Sequence, residues 1–533
     1  MRAIWRPLAI TMAVFVGLLA GVSPAQAATL NFNSQANLVQ ASPFPQNKQN
    51  EPSIAQNPTN RMQLIAGSND EIDEPACHGG TTPGCPFTFG VGGSGVYVSN
   101  DGGVHWSQFS APSGGDNTIS FNGDRSKIHT LPGFGKLSRD LGIPGLASDG
   151  DPAIAFSRDG IAYYGSLAGV RGIVTNSELL TVSRSTDGGQ HWSGPVLATD
   201  RTNPADFNDK IAIWVDQGAT SPFAGTVYVS WTLFQGGPGR AEPIMVSRST
   251  DGGMTFSSAM QVTPAHNNNS IGGRQGSAIR TAPNGDVYVF FESGAVVNGT
   301  KVNAQMFVKS TDGGASFSKE AVASTVVDIP SPLPGSSFRN DSFASIDIGP
   351  IGNIYVAWAD FRSGRGLVML TTSSDGGGTW TPAAVVLDVA DRSAFFPGVA
   401  VSPDGSKVSV ATQALDAKLA GTPPGAGVVH YDSYFAESVS AGAFSAPLKI
   451  STASSDPDGS STNSLGAQFQ GDYNTLISDN QRAWFIWTDA SNATPCAAVD
   501  VYRAHPVPTK PNVPASCAGT FGNTDIIVGR VSL

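Results

Sequence analysis

The chain has 533 residues, 31 Lys and Arg against 42 Asp and Glu, 62 glycines and a formal net charge of −11. That length is too great for one small core but suits a radial repeat forming a single domain, and the acidic balance argues against nucleic acid or an anionic membrane surface as partner. Sparse charge, abundant glycine and no long pattern of helical period argue for many short strands joined by turns.

Taken in order, Arg2 and Arg6 precede an apolar run from Leu8 to Val22, and Ala25-Gln26-Ala27 offers small residues for cleavage before Ala28. Residues 1–27 therefore read as a signal peptide and the protein as secreted, extracellular or periplasmic, with no membrane attachment once the leader is removed. The apolar stretch is short for a membrane anchor. Residues 28–50 follow; Leu30 to Val39 alternate enough to lend a strand to the last unit of the repeat and close a ring, which removes exposed sheet edges.

From Glu51 to the C-terminus three segments recur. The first is a short apolar strand with a polar start: Glu51 to Ala55, Asp151 to Ala155, Asp209 to Ala212, Arg274 to Ile279, Arg339 to Phe343. The second enters through Gly or Asn: Gly160 to Tyr164, Gly225 to Trp231, Gly285 to Phe291, Gly352 to Trp358. The third is S-x-D-G-G-x-x-W/F, at Ser99 to Trp106, Ser185 to Trp192, Ser249 to Phe256, Ser310 to Phe317 and Ser373 to Trp380. Asp-Gly-Gly suits a tight hairpin, since Gly takes positive φ freely and the Asp carboxylate accepts from turn N–H groups. Asp187, Asp251, Asp312 and Asp375 are 64, 61 and 63 residues apart, so the repeat is one four-stranded antiparallel unit. The gap of 86 from Asp101 to Asp187 contains an insertion at about 111–148.

A sixth unit runs from Pro397 to Ala411 with a degenerate turn, and Phe444 stands 64 residues after Trp380, where the periodic aromatic belongs. A seventh starts at Gly471-Asp472-Tyr473 and ends in Asp525 to Val531. The fold class is all-β, a β-propeller of seven blades with six as the alternative. Of the four cysteines, Cys77 with Cys85 and Cys496 with Cys517 form two local disulfides in an oxidising compartment; the spacings are not metal-like and the histidines do not cluster beside them.

The five turns around Asp101, Asp187, Asp251, Asp312 and Asp375 resemble the bacterial neuraminidase repeat, or Asp-box, of sialidases and other secreted β-propellers. The box is a folding element shared by unrelated activities, so the site must be sought elsewhere. If the turn joins the third strand to the fourth, the starts of the first strands and the ends of the second lie on the opposite face. The insertion and both cysteine loops fall there, and long loops in compact domains are usually functional or disordered.

At the starts of the first strands stand Glu51, Asp151, Asp209, Lys210, Arg274, Arg339, Asp341, Asp472 and Tyr473, and at the ends of the second Asp70, Glu292, Asp360, Arg362 and Asp489. Such a ring supplies carboxyls for acid and base roles and arginines for an anion, or equally a set of strand caps around a solvated channel. The sialidase resemblance implies an arginine triad, a Tyr nucleophile beside a Glu, and an Asp acid/base. Its counterparts here are Arg274, Arg339 and Arg362, then Tyr473 with Glu292, and Asp341, with Glu51, Asp151, Asp209, Lys210, Asp360 and Asp472 lining the substrate. The F-R-I-P-like motif of that family has its nearest string in Phe338-Arg339-Asn340-Asp341, in the fifth unit.

Two functions follow: a sialidase-like glycoside hydrolase, or a non-catalytic propeller that binds carbohydrate or protein at the same face. Either takes an extracellular glycan or glycoprotein as partner and works as a monomer. No cofactor is required, and calcium is the metal the acid-rich face suits, although no calcium-binding motif occurs. His105 and His191 lie in the turns, and neither a G-x-S-x-G elbow nor a dinucleotide-binding turn is present.

Overall fold

The computed structural model describes residues 28–533 except 39–42, 78–84, 86, 114–117, 173–177, 201–202, 204, 237–240, 266–273, 419–427, 441–442 and 506–509. Residues 1–27, expected from the sequence to be a signal peptide, lie outside the described residues. Seven antiparallel sheets form seven blades. Their innermost strands are Gln49–Gln56, Ala153–Phe156, Phe207–Val215, Gln275–Thr281, Ser345–Ile348, Arg392–Val401 and Thr475–Ser478. In the seventh blade the outermost strand comes from the other end of the chain: Thr29–Gln35 pairs antiparallel with Asp525–Ser532. The ring is thus closed by hydrogen bonds between the two ends of the described chain, and no blade edge is left at the junction.

Each blade buries both faces. Trp231, Trp358, Trp484 and Trp487 are fully buried, and the apolar clusters run between neighbouring blades, as where Leu180 and Val182 of the second pack with Ile213 and Val229 of the third. Strand limits shift where propensity alone was followed. In the fifth blade the inner strand starts at Ser345 rather than Arg339, and in the seventh at Thr475 rather than Gly471; the polar residues before them run as coil into the mouth of the ring. The connections also carry short helices, Phe134–Leu141 in the insertion and Ala497–Ala504 and Val513–Ser516 between the seventh blade's second and third strands. No described helix is long and apolar enough to cross a membrane.

The Asp-Gly-Gly turns share one hydrogen-bond plan. Ser99 Oγ donates to Asp101 Oδ1 at 2.9 Å, which also accepts from the N–H groups of Val104 and His105 at 3.0 and 2.9 Å. Asp251 and Asp312 repeat this with the same donors. The turns also join blades. The carbonyl of the first glycine accepts from the preceding blade: Gly102 from Trp484 at 2.9 Å, Gly252 from Arg184 at 3.2 Å and Tyr163 at 3.3 Å, Gly313 from Arg248, Gly376 from Tyr288 at 3.2 Å. Gly102 N–H donates to Met62 O at 2.8 Å, in the turn between the first blade's inner two strands. These turns therefore lie at the ends of the inner strands, opposite their starts.

On the opposite face both disulfides are formed, Cys77–Cys85 and Cys496–Cys517. Cys77, Cys85 and Cys496 pack together with Phe44, Leu465 and Phe521. The insertion is pinned to the first blade by Asp73, which accepts from Ser120 Oγ at 2.9 Å, His129 N at 2.7 Å and Thr130 Oγ1 at 3.3 Å, and pairs with the His129 ring at 2.9 Å.

Candidate functional site

The inner strands enter the ring through a bulge at the same point in several blades. Glu51, Asp151, Lys210 and Phe396 have φ of 57°, 48°, 55° and 49°, and Gly276 has 64°. In the first, third, fourth and sixth blades the ladder skips there, as between Asn50 and Ser53 or Asp209 and Ala212. A bulge re-aims a side chain, and left-handed backbone at a bulky residue costs of order 1 kcal/mol or more, so these orientations are held by their surroundings. Gly276 keeps its place for another reason: a Cβ there would lie 2.4 Å from the Phe343 ring.

Three of these residues open a buried carboxyl chain. Asn69 Nδ2 donates to Glu51 Oε2 at 2.6 Å and Asn69 Oδ1 accepts from Asp151 N at 2.7 Å, locking two bulges to one side chain. Lys210 N donates to Asp151 Oδ2 at 3.1 Å. Asp151 also shares hydrogen bonds with Glu51 and Asp209. Burial first, then neighbouring Asp151, pushes both Glu51 and Asp209 well above the usual carboxylate range. Beside them Arg339 grips Asp472 with two bonds, 2.7 and 2.6 Å, and stands 3.8 Å from Glu51. Burial raises Asp472, and the Arg339 charge opposes the rise.

Lys210 Nζ sits 3.5 Å from the centre of the Tyr473 ring, and burial lowers its pKa against the surrounding acids. The Tyr473 hydroxyl is buried with no hydrogen-bond partner, and burial together with Asp151 and Glu51 pushes its pKa well above 10.0. The tyrosine–glutamate pair expected from the sequence is therefore not formed.

Glu292 belongs instead to a second group. It shares hydrogen bonds with Asp328 and Asp341, and burial with those two charges raises it well above its usual value. Burial also pushes Asp341 up to about 6, against the Ser342 N–H that donates to its Oδ1 at 2.8 Å and a bond from Glu292. Asp472 acts on Asp341 as well, so the two groups adjoin.

The expected arginine triad is likewise not assembled. Arg274 is 2 % exposed and held by Glu320 at 2.6 and 3.2 Å. Arg362 clasps Asp360 two residues away at 2.7 Å, and Asp360 also accepts from Trp358 Nε1 at 3.0 Å. Asp70 takes bonds from Gln49, Tyr97 and Gln108, and Asp489 one from Trp487; both act as strand-end caps. Of the three arginines Arg339 alone bonds within the carboxyl group. Sequence reasoning missed Asn69, Asp328 and the aromatic part of the rim, Phe343 and Phe396. Phe343 and Phe396 stand three residues before Ile346 and Val399, as Glu51 does before Ile54, a spacing that could have found them.

Beneath this mouth the inner strands of all seven blades line a cavity of about 650 Å³, with Lys210, Asp341, Phe343, Phe396, Asp472 and Tyr473 at its upper end. Among the described residues no group of three or more His, Cys, Asp or Glu is arranged to hold a metal ion.

No family model and no curated protein matches the chain. Among solved structures it is similar to a Hadza microbial sialidase, with 14% identity over 80% of this chain and 74% of that one and a TM-score of 0.40. It is also similar to the leech intramolecular trans-sialidase, at 13% over 71% and 67% with a TM-score of 0.45. A Penicillium chrysogenum alpha-L-arabinanase matches at 13% over 76% and 98% with a TM-score of 0.42. At these values no residue role or substrate passes from them to this chain.

Proposed function

We propose that the chain is a secreted, sialidase-like propeller that hydrolyses glycosidic bonds of extracellular glycans at the mouth of its channel, using carboxyl groups rather than a tyrosine. The observation that carries this is Asp341: a half-buried carboxyl at the upper end of the cavity, raised to about 6 and set against the Glu292 carboxyl, which burial also raises. Glycoside hydrolysis needs an acid that holds its proton near neutral pH and a second carboxyl beside the ring carbon that gains positive charge. Asp341 gives its proton to the leaving oxygen as the C–O bond breaks. Asp472, oriented by Arg339, faces the developing charge and takes a proton from the water that forms the new C–O bond at the ring carbon. Tyr473 serves as a wall of the site, because a phenol whose hydroxyl bonds to no base and whose pKa is raised is a poor nucleophile.

Secretion is supported by the leader-like first 27 residues and the two disulfides. The binding-only reading draws on one observation: Glu51 and Glu292 are 2 % and 8 % exposed, so much of the acid is covered. The test is to incubate the full secreted chain with a panel of aryl glycosides and polysaccharides and follow new reducing ends. Turnover that is lost in Asp341→Asn supports hydrolysis; saturable binding without any release of reducing ends would establish the binding module instead.

A further inference from the structure

The three arginines of this face that could grip an anion are each held by an acid of the chain itself. Arg274 is held by Glu320 and Arg362 by Asp360. Lys210 lies on the Tyr473 ring among Asp151, Glu51, Asp472 and Asp209. Arg339, the most exposed of them at 63 %, already carries a carboxylate in the two-pronged geometry that a ligand carboxylate would need. Around these sit Glu51, Asp151, Asp209, Glu292, Asp328 and Asp341. Glu51 Oε1, Glu292 Oε2 and Asp328 Oδ1 are buried with no donor from outside the acid groups themselves, so the mouth is short of donors and rich in acceptors.

We infer that the mouth takes non-anionic glycans, uncharged or amine-bearing, and rejects carboxylate-bearing sugars, with Asp472 as the residue that sets this preference by occupying Arg339. An entering sugar carboxylate must displace Asp472 from the guanidinium and then lie against the displaced carboxylate, and like-charge juxtaposition opposes both steps. Hydroxyl and ammonium groups meet no such opposition, because they donate to the carboxyl oxygens. The inference rests on the glycan reading above. It runs against the substrate charge that the sialidase resemblance implies.

The test is a glycan array carrying neutral, amine-bearing, sialylated and uronic-acid glycans, probed with the full secreted chain, followed by titration of the best neutral ligand and its C6-carboxylate counterpart. Neutral or amine-bearing spots should dominate, and the carboxylate counterpart should bind at least about tenfold more weakly. Asp472→Asn, with folding checked by circular dichroism, should narrow that difference by releasing Arg339 and removing a charge. Arg339→Gln in the otherwise unchanged chain should not narrow it. Equal or stronger binding of sialylated or uronic glycans by the unchanged chain overturns the inference while the glycan reading stands. If Asp472→Asn folds and leaves the preference unchanged, Asp472 does not set it. Absence of binding to every glycan overturns the glycan reading itself, and this inference with it.

Discussion

Asp341 carries a cost that its removal should expose. Its carboxyl rises from an ordinary value near 3.8 to about 6 in the folded chain, because burial disfavours the charged form. At low pH both folded and unfolded states hold the proton and nothing is lost. As pH climbs past 3.8 the unfolded chain ionises freely while the folded one does not, so stability falls until about pH 6 and stays low above it. At about 1.4 kcal/mol per pH unit that amounts to about 3 kcal/mol, a ceiling because Glu292 shares the proton. Asp341→Asn keeps an acceptor for Ser342 N–H and for Glu292 but has no charge to bury. It should therefore stabilise the protein by up to about 3 kcal/mol at pH 7.5 and by almost nothing at pH 4. For a chain of this length that is about 3 °C in Tm, since unfolding entropy scales with residue number. Calorimetric scans of both proteins at the two pH values read this directly, and the carboxyls that do not touch Asp341 cancel in the difference. A gain equal at both pH values, or a loss at pH 7.5, would refute the assignment. The same substitution should lower turnover by about 10²–10⁴, a stability gain obtained at the expense of activity.

Other consequences are independent of the chemistry. Arg248→Ala removes a bond to the Gly313 carbonyl of the next blade and should lower stability by about 1 kcal/mol without changing glycan affinity; an altered affinity would place the boxes on the wrong face. Cys517→Ser opens a loop of 21 residues and should cost about 2–4 kcal/mol, measured by thermal unfolding with and without reductant. Asp73→Ala leaves the buried His129 backbone N–H unpaired and its ring with Asn122 alone and should destabilise the insertion by about 3–5 kcal/mol. Hydrogen exchange should then accelerate first at residues 119–130, and uniform acceleration across all blades would contradict a local clamp.

Spacing made the architecture readable. Asp-Gly-Gly turns at intervals of 64, 61 and 63 residues dictate one hairpin per unit, and the polar starts of the inner strands told where the chain enters the ring. Glu51, Asp151, Asp209, Lys210, Arg339, Asp472 and Tyr473 meet because sevenfold closure brings these starts to one point. What stayed hidden depends on partners distant in sequence. Arg274 looked free for a ligand, yet Glu320 holds it from 46 residues away. Tyr473 and Glu292 matched a functional pair by type, but they sit on the seventh and fourth blades and each faces other acids. The bulges escaped too, since positive φ is usually announced by glycine and here falls on Glu51, Asp151, Lys210 and Phe396. Helices such as Phe134–Leu141 are too short to impose a recognisable period.

The central claim is that carboxyls at the channel mouth, not the tyrosine, do the chemistry. Turnover of the best panel substrate by Tyr473→Phe and Asp341→Asn, measured side by side on folded protein, tests it most directly. The phenol variant should stay within about tenfold of the unchanged chain, while the Asp341 variant falls by about 10²–10⁴. Loss of turnover in Tyr473→Phe with activity retained in Asp341→Asn would contradict it and return the site to a tyrosine nucleophile.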